Sequence, residues 1–182
     1  CAVFNRTSAG IVATIAALAG GKPVLSVVPA GDRSHASVVR GSALARVELR
    51  EVPSDRDWRA HIGDCHLVIV TTVTSALARL DDALAVAVIE KAHKAGAIVL
   101  LDEAYGARLR PVLHGGQKAL ALGADLAITN CDKAGLSGPR AGVLVGRSGL
   151  VMASAAKAAE YGMEARAPIA AAALRSLQKF DP

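Results

Sequence analysis

The chain has 182 residues, 52% of them hydrophobic and 20% charged, with aromatics at only 3% and alanine the most frequent side chain. That length supports one domain with a sizeable core and excludes a staple-dependent mini-protein, while the composition excludes intrinsic disorder and disfavours an aromatic-studded β-sandwich or an aromatic platform for stacking bases. A net charge of +5 allows an anionic ligand or partner without naming one.

Taken in chain order, the first feature is Arg6 followed by an uncharged stretch at 7–21. A signal peptide is one reading. Asn5-Arg6-Thr7-Ser8, however, is a helix start whose hydroxyls can cap the first-turn amides, so the stretch is read as a mature helix over 8–19, closed by Gly20-Gly21. It is shorter than the roughly 20 apolar residues that a bilayer requires. Residues 23–28 form a buried strand, 47–52 a weaker strand, 57–62 a helical turn and 66–71 a second buried strand. Apolar spacing predicts a helix over 80–94, ended by Gly96, then a strand at 97–101. Residues 117–122 read as helical, 125–129 and 141–146 as strands, 150–161 as a helix and 169–180 as a last helix. Short apolar strands alternating with helices predict an α/β fold: three layers, a mostly parallel sheet with helices on both faces. Cys1, Cys65 and Cys131 are odd in number and lack ligand spacing, which argues against a disulfide framework or a metal site and for a reducing, cytoplasmic setting.

In such folds ligands bind beyond the carboxyl ends of the strands. Asp102 follows the strand at 97–101, but no P-loop accompanies it, because Gly21-Lys22 lacks both the earlier glycine and the following hydroxyl; an NTPase is set aside. Lys133 lies in a Gly/Ser/Pro loop after the next strand. A lysine in a loop is ordinarily a solvated charge. Between two apolar strands it is expected to face a cleft, where burial lowers its pKa and frees the amine to attack a carbonyl. A carboxylate and an amine on successive strand ends suit pyridoxal phosphate, which needs an amine to bind its aldehyde and an acid to keep its ring nitrogen protonated. Thr7-Ser8-Ala9-Gly10 at a helix N-terminus offers amides and hydroxyls to a phosphate, plain N-capping being the equally weighted alternative. His35 follows the strand at 23–28 and is the candidate for covering a ring, although a lone histidine is more often an ordinary surface residue.

The order Asn5-Arg6-Thr7-Ser8-Ala9-Gly10, Ser34-His35-Ala36-Ser37, Asp102-Glu103-Ala104-Tyr105-Gly106-Ala107-Arg108 and Asp132-Lys133 through Gly138-Pro139-Arg140-Ala141-Gly142 resembles the fold-type-I pyridoxal phosphate enzymes. Within them it is most similar to the archaeal group related to selenocysteine synthase, the L-seryl-tRNA(Sec) selenium transferase. The resemblance implies that Lys133 forms the Schiff base, that Asp102 pairs with the ring nitrogen and that Ala104 packs opposite His35. Thr7, Ser8, Ala9 and Asn130 then hold the phosphate, Asn130 standing where many relatives carry a hydroxyl three residues before the lysine. Arg140 is expected either to bind a substrate carboxylate or to help shape the loop, and Arg108 is a weaker candidate for an anion. Tyr105 is bulkier than the side chain usual at its position and narrows the pocket.

The implied activity is β-replacement or elimination on a seryl-type amino acid, free or tRNA-bound, with selenium or sulfur as nucleophile and a homodimer or higher homo-oligomer as the assembly. A cofactor-binding domain without turnover of its own, an aminotransferase and a lyase are the alternatives. Arginines 33, 40, 46, 50, 56 and 59 permit a tRNA partner but read more readily as a solvated face. Residues 1–182 are expected to be a single cofactor-binding large domain, a fragment without the N-terminal segment and small C-terminal domain that family members carry.

Overall fold

The computed structural model describes residues 1–181. Seven strands form one sheet in the order β1-β7-β6-β5-β4-β2-β3. Five of them, β2 (Val24–Val28), β3 (Leu49–Pro53), β4 (Leu67–Thr71), β5 (Ile98–Asp102) and β6 (Leu126–Asn130), run parallel. At one edge β7 (Gly142–Gly146) turns back antiparallel against β6, and β1 (Ala2–Phe4) pairs antiparallel with β7. Every residue of β2 and β4 is buried, which explains why these strands read as unbroken apolar runs.

The pleat divides those runs between two cores. Leu25, Val27, Val68, Val70, Val99 and Leu101 face one side and pack with Trp58, Ile62 and helix α3 (Asp82–Lys94). Val24, Leu67, Ile69, Leu100, Ile128 and Leu144 face the other, against α1 (Thr7–Leu18) and α5 (Ser148–Glu160). Helices on both faces of a mostly parallel sheet are the three-layer α/β architecture that the residue pattern predicts. The expected elements at 57–62 and 117–122 are short 3-10 turns, Trp58–His61 and Ala119–Leu122, and the last helix, α6, runs over Ala167–Gln178. Among the described residues no helix is long and apolar enough to cross a membrane, and all three cysteines are free.

Three elements escape the sequence reading. β1 has only three residues. Helix α2 (Ala36–Leu44) buries Ser37, Gly41 and Ser42 around a single valine, Val38. Helix α4 (Gly106–His114) contains Pro111 and buries Gly106, Arg108 and Arg110, so its inward face carries charge where periodicity looks for apolar side chains.

Two glycines set how closely α1 and α4 approach the strand ends. A Cβ at Gly142 would fall 2.7 Å from the Arg6 carbonyl oxygen and from the Thr7 Cα, so the start of β7 and the start of α1 touch through bare backbone. A Cβ at Gly106 would fall 2.1 Å from the Thr72 hydroxyl oxygen and 2.5 Å from Glu103 Oε2, so the turn after β5 closes onto β4 only without a side chain there.

Candidate active site

A cavity of about 340 Å³ opens at the carboxyl ends of β2, β4 and β5 and is lined by Thr7, Ser8, His35, Asp102, Ala104 and Lys133. Six of the ten residues expected at a site therefore share one wall, although they come from four separate stretches of chain.

Asp102 is the last residue of β5 and 4% exposed. Burial pushes its carboxyl above the ordinary carboxylate range, opposed by the Ala104 amide and by the charges of His35 and Lys133. The Ala104 amide donates to Asp102 Oδ1 at 3.2 Å, which fixes the carboxyl at the mouth of the strand. Lys133 is half-buried and lines the cavity, and its Nζ lies 5.1 Å from the centre of the Tyr105 ring. That spacing permits a cation–π contact that keeps the amine over the cavity wall.

The expected capping of α1 by Thr7 and Ser8 is not made. The N-cap is Arg6, no side chain caps the helix, and the first turn carries no acid. Thr7 Oγ1 donates instead to the Thr129 carbonyl at 3.5 Å. The hydroxyls sit one residue inside the helix, so the first-turn amides of Thr7, Ser8 and Ala9 have neither an intrahelical nor a side-chain partner. With the helix dipole behind them they are free to receive an anion beside the cavity.

His35 has a second task. Its Nδ1 accepts from the Ser37 amide at 3.2 Å and caps α2. The cap anchors a side chain that also lines the cavity.

Three expected residues lie elsewhere. Ala9 packs its methyl into the core under α1 and can offer the site only its amide. Asn130 is wholly buried; its Nδ2 donates to the Ala104 carbonyl, and its Oδ1 accepts from Arg108 Nη2 at 2.8 Å, leaving no amide hydrogen bond directed at the cavity. Arg108 is 6% exposed and bonded entirely to the loop around Lys133, so a free guanidinium for a substrate anion, as the sequence suggested, is not what the fold presents. Arg140 is exposed, 3.8 Å from Asp132, and lines a smaller cavity of about 260 Å³ that shares Thr7, Ser8, His35 and Lys133 with the first.

Thr71, Arg33 and Ser75 also line the main cavity and were missed in the sequence. Thr71 ends β4 next to Asp102, and its Oγ1 is buried without a hydrogen-bond partner. Its only signal was its place at the end of an apolar strand run.

This sheet order, with its site at the strand ends, is that of the large domain of fold-type-I pyridoxal phosphate enzymes. Superposition on CalE6, a methionine gamma lyase from Micromonospora echinospora, gives a TM-score of 0.77 at 27% identity over 96% of this chain and 47% of that one. YbdL from Escherichia coli, described as having a methionine aminotransferase function, shares the fold at a TM-score of 0.76 and 17% identity, over 97% of this chain and 50% of that one. In sequence the chain is 41% identical over its whole length to a UPF0425 pyridoxal phosphate-dependent protein of Methanothermobacter thermautotrophicus, covering 47% of that protein. It is 34% identical over 178 residues to a UPF0425 pyridoxal phosphate-dependent protein of Methanococcus maripaludis, covering 98% of this chain and 50% of that one. The chain thus spans about half the length of the curated relatives it matches. No protein-family profile matches it.

Proposed function

We propose that this chain is the cofactor-binding part of a pyridoxal phosphate enzyme acting on an amino acid. The observation that carries the reading is the meeting of the Lys133 amine, the Asp102 carboxyl and the uncapped start of α1 on one cavity. Three features of the wall fit the group. The first-turn amides of α1 suit a phosphate, the partnerless Thr71 hydroxyl suits a polar substituent, and a buried carboxyl with no cation bonded to it suits a protonated ring nitrogen, whose charge would favour the ionised carboxylate that burial alone disfavours.

When bound, pyridoxal phosphate supplies an electron sink for bond cleavage at the Cα of an amino acid. The residues of this chain do the rest. Lys133 would hold the cofactor aldehyde through its amine, and the same amine is placed to carry the Cα proton of a substrate. Asp102, as a carboxylate, would accept a hydrogen bond from the ring nitrogen and keep it protonated. Thr7 and Ser8 would hold the phosphate, Ala104 and His35 would confine the ring, and Arg140 would take the substrate carboxylate.

The finer reading is β-replacement or elimination on a seryl-type substrate with a sulfur or selenium nucleophile, as in selenocysteine synthase. It rests on the motif resemblance, and a tRNA-borne substrate rests on that resemblance alone. Arg50, one of the basic residues that could face a tRNA, already pairs with Glu48 and Asp64. Exposed Leu77, Val112 and Leu113, two of them beside Tyr105 on an apolar hollow next to the site, support assembly of two copies with the site near their contact. A domain that binds the cofactor without turnover of its own is the second reading.

Addition of pyridoxal phosphate to the purified protein should raise an absorbance band near about 420 nm, characteristic of the lysine-bound cofactor, and Lys133→Ala should abolish it. A missing band, or one that survives the substitution, rejects the assignment. Turnover of serine, O-phosphoserine, cysteine or seryl-tRNA then separates an enzyme from a binding domain.

A further inference from the structure

The guanidinium of Arg108 reaches from α4 under the loop that carries Lys133. Nε donates to the Ala134 carbonyl at 3.0 Å, and Nη1 donates to Thr129 Oγ1 and to the Asn130 carbonyl, both at 3.2 Å. Nη2 donates to Asn130 Oδ1 at 2.8 Å and to the Lys133 carbonyl at 2.9 Å. An arginine side chain has five N–H groups in a fixed plane, and here each has an acceptor in residues 129–134. Among the described residues no carboxylate lies within ion-pair distance of Arg108, so its charge is met by oxygens of the loop itself.

Two of those oxygens belong to Lys133 and to the next residue. Ala134 has φ +50° and Gly135 φ +89°, so the chain turns through the left-handed region directly after the lysine, a conformation that strains a residue with a Cβ. Asn130 extends the anchorage, because its Nδ2 donates to the Ala104 carbonyl, two residues beyond Asp102. A single buried cation therefore ties the lysine loop to the segment that carries the acid.

We propose that Arg108 is the positioning residue of this site: it holds residues 129–134 in the turn that presents the Lys133 amine to the cavity lined by Asp102. Its importance to the chemistry rests on the reading of Lys133 as the amine that binds pyridoxal phosphate; its hold on the loop does not. Lysine cannot replace it, since three donors on one flexible nitrogen do not reproduce the fork.

Arg108→Met, Arg108→Lys and the milder Thr129→Val test this in the whole protein by two measurements. Without cofactor, amide hydrogen exchange at 131–136 is expected to quicken about tenfold or more in both Arg108 variants, with β2 and β5 unchanged, because local opening is set by local anchorage. With pyridoxal phosphate, borohydride trapping followed by peptide mass analysis is expected to show attachment to Lys133 slowed by a similar factor and its pH profile displaced. Thr129→Val removes one of the five contacts and should change both in the same direction to a smaller degree. If the Arg108 variants fail to fold, Thr129→Val and Asn130→Ser carry the test, and an unchanged loop in both overturns the proposal. Unchanged exchange in Arg108→Met overturns it as well. A looser loop with attachment rate and pH profile unaltered makes Arg108 merely structural. If the unsubstituted protein never attaches the cofactor at Lys133, the functional reading fails, while the exchange data still decide whether Arg108 holds the loop.

Discussion

Thr71 and Asp102 stand opposite each other at the carboxyl ends of β4 and β5, register partners that both line the cavity. Neighbouring parallel strands in register place such side chains on the same face of the sheet. The Thr71 hydroxyl is buried without a partner, and the Asp102 carboxyl has one amide donor and no cation in hydrogen-bond contact. Groups left short of partners at a strand mouth destabilise the empty site and are satisfied by a polar ligand.

The Asp102 carboxyl gives the first prediction, and its sign follows from burial. Its pKa is raised, so ionisation works against folding, and the cofactor-free protein should lose stability as pH rises from about 3.9, the ordinary aspartate value, through the raised one. Asp102→Asn keeps an oxygen for the Ala104 amide and removes the charge. Its melting temperature at neutral pH without cofactor should exceed that of the parent by a few degrees, since 1 kcal/mol is worth about 2–4 °C at this size. The gain should vanish in acid and reverse when pyridoxal phosphate is present. Equal melting curves across pH would show that the carboxyl is not held against ionisation.

Asp125 gives the opposite pH dependence. It is 8% exposed, and although burial works against its charge, the Val99 amide, Arg147 and His93, each at 2.9 Å, together hold its carboxyl below the ordinary range. A lowered acid contributes stability that is present above about pH 3.9 and lost as pH falls through its folded value. Asp125→Asn should cost about 1–3 kcal/mol near neutral pH, the range for a buried hydrogen-bonded charge. Urea unfolding at neutral pH and at pH 3 checks it, because the difference should shrink in acid.

Beneath the site, Arg110 Nη2 donates to Glu103 Oε1 at 2.6 Å and its Nη1 to Asp82 Oδ1 at 2.8 Å, with the Arg110 and Glu103 side chains each 1% exposed. Removal of one partner of a buried pair leaves the other uncompensated and costs about 3–5 kcal/mol. Arg110→Met should show that loss by denaturant unfolding. Joined with Glu103→Leu it should recover much of it, and a double variant as unstable as the single would mean that Asp82 or packing dominates.

The parallel strands were legible because both of their faces are buried, so β2, β4 and β5 are mostly aliphatic, with Ser26, Thr71 and Asp102 the one polar residue in each. Asp102 and Lys133 stood out for the same reason, as charges that interrupt apolar runs at strand ends. Helix α4 was illegible because its buried face is Arg108 and Arg110, whose partners lie up to 28 residues away in sequence. Thr71 was hidden inside its own strand. The role first given to the Thr7 and Ser8 hydroxyls failed by one residue: with Arg6 as N-cap they sit in the first turn, too far along to cap it. The amides freed by that shift fit an anion better than the capped helix that the sequence suggested.

The meeting of Gly142 with the start of α1 offers a way to move those amides without touching any side chain of the site. A Cβ at 142 would lie 2.7–2.8 Å from backbone atoms of Arg6 and Thr7, which have no rotamer to yield. Gly142→Ala should therefore push the helix start away from β7. A Cβ at Gly10, one turn along the same helix, would meet the side chains of Ile128 and Phe4, which belong to the core. Both alanine variants should lose about 1–3 kcal/mol through overpacking. Only Gly142→Ala should also weaken pyridoxal phosphate binding beyond that loss, by about tenfold, the factor that corresponds to 1.4 kcal/mol of displaced amide contact. Titration calorimetry beside thermal melts separates the two effects. Equal affinities in the two variants would mean that the first turn of α1 does not hold the phosphate.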